Sequence, residues 1–271
     1  MQTKKYNRSL HAHISLGSTS DDRFMPSGYV EAFANMEKLV LTEKLDGQNN
    51  CFRKDGLFAR SHGSPSQLPW DKPMRERWNL IKNDLDEYEI FGENMYGIHS
   101  IAYDKLESYF YVFAVRVKDV WLSWDEVKEV ASMFDFPTVP EIQITKKLSE
   151  LYGIGGFSPE QTKHENKILA QWFTENLGMS WEASVNTSGL LGGYNPETLE
   201  PASEGFVVRN ANEFKTNDGV LKVAPNEFNN LFKVVRKGHV QTDEHWTKHW
   251  KPAKLAEYYK YGWYGYEHLS R

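Results

Sequence analysis

The sequence predicts an α+β fold. Short apolar runs end in turns at Leu39-Val40-Leu41-Thr42, Tyr88 to Phe91, Tyr109 to Val117, Gly205 to Arg209 and Leu231 to Arg236, and read as strands. Stretches with helical apolar spacing lie between them, with no regular one-for-one alternation. No repeat or low-complexity linker interrupts the 271 residues, a length that suits one large domain or one domain with a small appendage.

Residues 1 to 28 are polar and hold the turn formers Gly17-Ser18-Thr19-Ser20-Asp21-Asp22, so they read as an irregular entry segment. A helix is expected from Tyr29 to Met36. The strand Leu39 to Thr42 then runs into a turn at Leu45-Asp46-Gly47-Gln48-Asn49. Lys54-Asp55-Gly56 between Asn50 to Arg53 and Leu57 to Arg60 is a hairpin signal. Residues 61 to 70 read as a loop. Met74, Trp78, Ile81 and Leu85 mark a helix from Asp71 to Leu85. Ser123 with Glu126 three residues on marks a capped helix running to about Phe134. A further helix is expected from Pro159 to Leu177, a loop from Gly189 to Pro196, and a helical tail from Gln241 to Tyr259. The stretch 137 to 201 is the least legible and reads as a possible insertion. Residues 1 to 237 then form the main domain, and 238 to 271 a C-terminal helical tail.

Composition narrows the function. The formal net charge of -5 gives no general affinity for nucleic acid, so any such contact needs a local basic patch. The single cysteine, Cys51, excludes a disulfide framework or a cysteine-based zinc site within one chain and suits a reducing cytoplasm. Met1 to Leu16 carry five basic or histidine side chains and no apolar run, unlike a signal peptide, and no stretch approaches the ~20 apolar residues of a membrane span.

The segment Thr42-Glu43-Lys44-Leu45-Asp46-Gly47 carries the chemistry. A lysine at the end of a buried strand is partly desolvated, which lowers its pKa, and a neutral amine is a nucleophile. Gly47 lets the backbone approach a ligand closely. Alone, the segment reads better as a β-turn with a solvated lysine. Further segments follow in order: Ala59-Arg60-Ser61, Ile90-Phe91-Gly92-Glu93-Asn94, Phe110-Tyr111-Val112-Phe113-Ala114-Val115, Ser203-Glu204-Gly205-Phe206-Val207-Val208 and Leu231-Phe232-Lys233-Val234-Val235-Arg236-Lys237. Together, from about Thr42 to Lys237, they resemble the covalent nucleotidyltransferase superfamily of polynucleotide ligases and capping enzymes. Within it they look closest to the ATP-dependent RNA ligase family.

The resemblance implies antiparallel sheets around an ATP cleft. Lys44 would attack the α-phosphate of ATP and become a lysyl-AMP. AMP would pass to a 5′-phosphate end, and a 3′-hydroxyl would displace it. Lys233 would neutralise the α-phosphate and, as a neighbouring cation, depress the pKa of Lys44. Glu204 would hold magnesium (or manganese) directly or through water. Glu93 would contact the ribose or the metal, and Arg60 the ribose or a phosphate. Phe113 would stack on adenine, with Tyr109, Phe110 and Tyr111 competing for the role. Glu43 would accept from the adenine amino group, and Asp46 would fix the turn or a metal-bound water. Each also has a plainer reading, as a solvated charge, a surface ion pair or a core ring. Val235 stands where many relatives carry a second lysine, so Arg236, Lys237 or Lys222 would supply that phosphate contact.

The chain after Lys237 is shorter than the ~70 residues of a five-stranded oligonucleotide-binding barrel, so no C-terminal barrel is expected. The basic, aromatic tail, with Lys248 and Lys251 beside Trp246 and Trp250, joins Lys237 as a candidate RNA-binding surface, or else packs as an amphipathic helix. His245 and His249 have metal-ligand spacing but lack the glutamate of a zinc protease motif, and His11 and His13 offer no better site. RNA ends are the favoured partner. A DNA ligase, a GTP-using capping enzyme, a non-catalytic nucleotide or RNA-end binder, and a coincidental α+β domain are the rivals.

Overall fold

The computed structural model describes residue 6 and residues 9–18, 22–60, 63–152, 161–215, 230–238 and 250–256. In chain order the elements begin with β1 (Leu10–His11), α1 (Tyr29–Ala34), β2 (Leu39–Lys44), β3 (Gln48–Arg53) and β4 (Gly56–Ala59). Then come α2 (Lys72–Ile81), β5 (Tyr88–Asn94), β6 (Ala102–Tyr103), β7 (Phe110–Val117), β8 (Val120–Trp121) and α3 (Trp124–Met133). The rest are β9 (Glu141–Ile142), α4 (Leu148–Leu151), α5 (Gln161–Leu177), α6 (Trp181–Ser184), β10 (Gly193–Tyr194), β11 (Gly205–Asn210), β12 (Phe214–Lys215) and β13 (Leu231–Val235).

Two sheets dominate. The first has the order β1-β13-β11-β2-β9, and the second β12-β8-β7-β5-β3-β4. All pairings in them are antiparallel except β1 with β13, which is parallel. The α+β expectation with antiparallel sheets therefore holds for the described residues.

The alternation of each strand assigns its two faces. Leu41, Phe206, Val208, Phe232 and Val234 point from the first sheet into a cluster with α1 and α5, where Leu169, Trp172 and Phe173 are fully buried. Phe52, Ile90, Val112 and Val115 point from the second sheet toward Met74 and Ile81 of α2 and Val127 and Val130 of α3. The opposite face of the second sheet carries Cys51, Phe58, Phe91, Ala114 and Trp121. β2 runs straight through the turn 45–47 into β3, so this turn joins the two sheets.

Several local readings are realised. Ser123 accepts from Glu126 N, and Glu126 reaches back to Ser123 N, closing the capping box of α3. The hairpin pairs Arg53 with Gly56. Other local readings change. The helix expected from Asp71 begins after a single 3-10 turn at Pro69–Asp71, because the Asp71 carboxylate is taken by Ser66 Oγ and Asn94 Nδ2 and does not cap the helix. The loop expected from Gly189 contains β10, paired with β6. Residues 250–256 of the expected helical tail are not helical: Pro252 bridges Gly97, and Ala253 N donates to Tyr96 O at 2.7 Å. A proline there removes a donor and blocks a helix interior. The rest of that tail, including His245, Lys248 and His249, lies outside the described residues, as does Lys222 before β13. No helix among the described residues is long and apolar enough to cross a membrane.

Candidate active site

Lys44 ends β2 directly opposite Gly205, where an added Cβ would stand 1.9 Å from Val234 O of β13. Glu204 precedes Gly205 and grips the ammonium with both oxygens, each 2.7 Å from Nζ. The Lys44 side chain is 23% exposed and that of Glu204 5%.

The register places Thr42, Lys44, Val207 and Lys233 on one face of the first sheet. Lys233 is half-buried on β13, within the field of Lys44, Asp22, Glu204 and Arg60. From the second sheet, Glu93 of β5 accepts from Gly47 N at 3.1 Å and acts electrostatically on Lys44 and Glu204. Lys44, Glu93, Glu204, Lys233 and Arg60 thus converge where the sheets meet.

The turn that aims Lys44 is fixed by Asp46. Its Oδ2 accepts from Ser100 N (2.9 Å), Ser100 Oγ (2.7 Å) and Ile101 N (2.9 Å), and Asp46 N donates to Tyr103 Oη at 2.9 Å. Of its two expected roles, the geometry supports the turn. Gly47 is required because a Cβ there would stand 2.5 Å from Asn94 O.

The expected depression of the Lys44 pKa is not found. Burial lowers it, but Glu204, then Glu93 and Asp46, together hold it above its ordinary value. Lys233 takes the opposite course. Burial, and next the Lys44 charge, lower it to about 8 against the pull of Asp22 and Glu204. The cation expected to depress its neighbour is the one depressed, because the carboxylate bound to Lys44 is nearer than any cation. Glu93 is pushed up to about 7, chiefly by burial, with Lys44 opposing.

Glu43 does not join this group. It pairs in register with Phe206, on the face of β2 opposite Lys44, where Leu190 N donates to its Oε2 at 2.8 Å. Burial raises its carboxyl to about 7, with the Leu190 bond opposing. A raised carboxyl pKa means that ionisation costs stability as pH climbs from about 4.5 to 7, and the full cost stands above 7. Glu43→Gln should therefore stabilise the protein by roughly 1–3 kcal/mol at pH 8 and by nearly nothing at pH 4, read as urea midpoints at the two values. A simultaneous rise in the KM for ATP would restore Glu43 as an adenine contact.

Phe113 reaches its place through a bulge. Phe91 pairs with Ala114 and Gly92 with Val112, so Phe113 is the extra residue between them. Its ring is half-buried, 5.0 Å from that of Tyr6, while Phe110 and Tyr111 are fully buried in the core. Arg209 buttresses the same strand, donating to Phe113 O at 2.9 Å and Leu122 O at 3.2 Å. Arg60 is exposed at the end of β4. Arg236 is half-buried and Lys237 exposed beyond β13, beside a cavity of about 220 Å³ that they line with Leu16, Trp181, Val185 and Asn186. Lys251 is exposed. Sequence reading missed Tyr6, His11, Asp22 and Arg209. The first three lie in a segment that carries no strand signal.

No group of three or more His, Cys, Asp or Glu among the described residues could hold a metal ion alone. Glu93 and Glu204 are carboxylates that would suit magnesium, which uses one or two and completes its shell with water and phosphate oxygens, once Glu204 is released from Lys44. Glu93 in particular is a half-buried carboxyl whose ionised form a divalent cation would favour.

Two sheets joined through the turn 45–47, with a carboxylate-bound lysine beside it, define an α+β protein with a candidate nucleophilic amine. The chain belongs to the RNA ligase family, whose model matches residues 37–235 and so spans every strand from β2 to β13. Among solved structures it is similar to an archaeal ATP-dependent RNA ligase (10% identity, 86% of this chain and 48% of that one, TM-score 0.42). It is also similar to a Naegleria gruberi RNA ligase solved with ATP and Mn (13%, 87% and 60%, 0.41). An Aquifex aeolicus protein assigned as an ATP-dependent DNA ligase also matches (16%, 78% and 49%, 0.36). This chain spans about half the length of the first of these matches. No curated protein matches.

Proposed function

We propose that this RNA ligase family member is an ATP-dependent enzyme that joins RNA 5′-phosphate and 3′-hydroxyl ends through a lysyl-AMP on Lys44, acting in the cytoplasm in RNA repair. The observation that carries this reading is Lys44 itself. It lies within the family match, at the sheet junction, with two carboxylates and a second lysine around it.

In the first step the Lys44 amine attacks the α-phosphorus of ATP. The Nζ–P bond forms, the bond from the α-phosphorus to the bridging oxygen breaks, and pyrophosphate leaves with those electrons. The ammonium must first lose a proton, and the nearest acceptor is the Glu204 carboxylate. Lys233 and Arg60 offset charge on the phosphate. Such transfer depends on positioning and charge neutralisation more than on covalent help. Phe113 offers a face for adenine, while Arg236 lies by Trp181 and Val185 on the other face of the first sheet. Glu204 and Glu93 would hold a divalent cation, which would supply charge neutralisation at the phosphates. In the second step a 5′-phosphate oxygen of RNA takes the AMP and frees Lys44. In the third, a 3′-hydroxyl oxygen attacks that 5′-phosphorus and AMP leaves. Lys237, Lys248 and Lys251 would contact the RNA backbone.

The test is incubation with α-labelled ATP and magnesium, followed by denaturing gel and intact mass. A covalent AMP that pyrophosphate removes supports the reading. Labelling by GTP alone would move the protein to the capping class. No label with either nucleotide, in magnesium or manganese, on protein that arrives unmodified sinks the enzyme reading.

A further inference from the structure

Residues N-terminal to the family match enter the candidate site. β1 runs parallel to β13 and sets His11 level with Lys233. The His11 side chain is 1% exposed, and its ring is held at Nδ1 while Nε2 faces Asp22. Ser15 Oγ lies 2.7 Å from Nδ1 and accepts from Val235 N at 3.0 Å. Ser15 Oγ also lies 3.5 Å from Val235 O, and His11 Nε2 stands 3.3 Å from Asp22 Oδ1, an electrostatic contact and not a hydrogen bond. The same Asp22 oxygen is 3.7 Å from Lys233 Nζ. That separation is an ion pair and not a hydrogen bond, so the three ammonium donors are not spent on it.

We propose that Asp22, set between His11 and Lys233, is a positioning residue of the adenylation site, which holds the Lys233 ammonium in place and charged opposite Lys44. This rests on the lysyl-AMP reading above for its consequence but not for its geometry. The groups facing Lys233 are Lys44 on β2, Arg60 beyond β4, Glu204 before β11, and Asp22 and His11 from the N-terminal segment. Two of these are cations, and both oxygens of Glu204 are engaged by Lys44. Asp22 is therefore the carboxylate that answers Lys233. His11 does not replace it: burial, and then the Lys233 charge, lower its pKa to about 4, so near neutrality it is uncharged.

Removing the Asp22 charge should let Lys233 discharge at lower pH, because a close opposite charge stabilises the ammonium by about one pKa unit or more. Asp22→Asn keeps the shape and the contact with His11. Its rate of self-adenylation at saturating ATP should match wild type near pH 6 and fall roughly tenfold behind by pH 8.5. Asp22→Glu should recover most of that loss. A deficit equal at both pH values marks a merely structural role, and a lower KM at unchanged rate marks Asp22 as a competitor of phosphate; either overturns the proposal. The second measurement needs no turnover. The Lys233 side-chain resonance, assigned with Lys233→Arg, is titrated by NMR, and its midpoint should drop by about one unit in Asp22→Asn. An unchanged midpoint also overturns the proposal. If wild type fails to label with ATP, the enzyme reading falls, and this titration still decides the Asp22–Lys233 coupling.

Discussion

Lys44→Arg is expected to abolish protein-bound AMP while leaving the fold intact. Arginine keeps its charge at every accessible pH and matches a carboxylate with a two-pronged donor, so it can retain the contact with Glu204. It offers no neutral amine, and the Nζ–P bond cannot form. The loss should be at least about 10⁴-fold, more than ~5 kcal/mol in the barrier, with a melting temperature within a few degrees of wild type. Labelling by α-labelled ATP beside a thermal melt reads both. Retained labelling would place the nucleophile on another residue, with the nearby Lys233 the next candidate to replace. Loss of label together with loss of fold would leave the role of Lys44 unread, and Lys44→Met, which keeps the length of the stem without its charge, would then resolve it.

The parts of the structure legible in the sequence are those with local causes. The capping box at Ser123, the turn at Asp55-Gly56 and the apolar runs of β2, β7, β11 and β13 state their structure within a few residues. The side chains that converge at the sheet junction were nameable because their segments follow one another in the family's order. Strand period alone could have separated Glu43 from Lys44, since neighbours on a strand face opposite ways. The sign of the Lys44 shift could not be read, because it depends on how closely Glu204, 160 residues away, approaches the ammonium. The same holds for His11 and Asp22. The two residues of β1 carry no periodicity, and their place is set by pairing with β13, more than 200 residues later. The bulge at Phe113 needs the β5 register before it can be seen. At Pro252 local chemistry was legible and was outweighed by the basic, aromatic pattern around it.

Glu204→Gln separates what the Lys44 pair contributes to the fold from what it contributes to the chemistry. Glutamine preserves shape and one acceptor but removes the charge that does most to hold Lys44 protonated. Breaking a buried pair from one side leaves a charge without its counterion, which costs about 3–5 kcal/mol in full burial. With Lys44 about a quarter exposed, water screens part of this, and roughly 1–3 kcal/mol is expected. The sign with pH follows from a lysine whose pKa is raised by folding. Its contribution is fully present below the ordinary value of 10.5 and is lost as pH rises through the folded value. The stability gap between wild type and Glu204→Gln should therefore be flat from pH 6 to 9 and close only above about 10.5. Self-adenylation should fall about 10²–10³-fold, the scale of one lost charge-stabilising contact at a phosphoryl transfer site. The variant Lys44→Met/Glu204→Gln removes both charges, and replacing a buried pair entirely is often neutral. It should regain most of the lost stability and none of the activity. That outcome would mean the pair is kept at the sheet junction for its reaction, since the fold does as well without it; a double variant no more stable than Glu204→Gln would instead make the pair part of what holds β2 to β11.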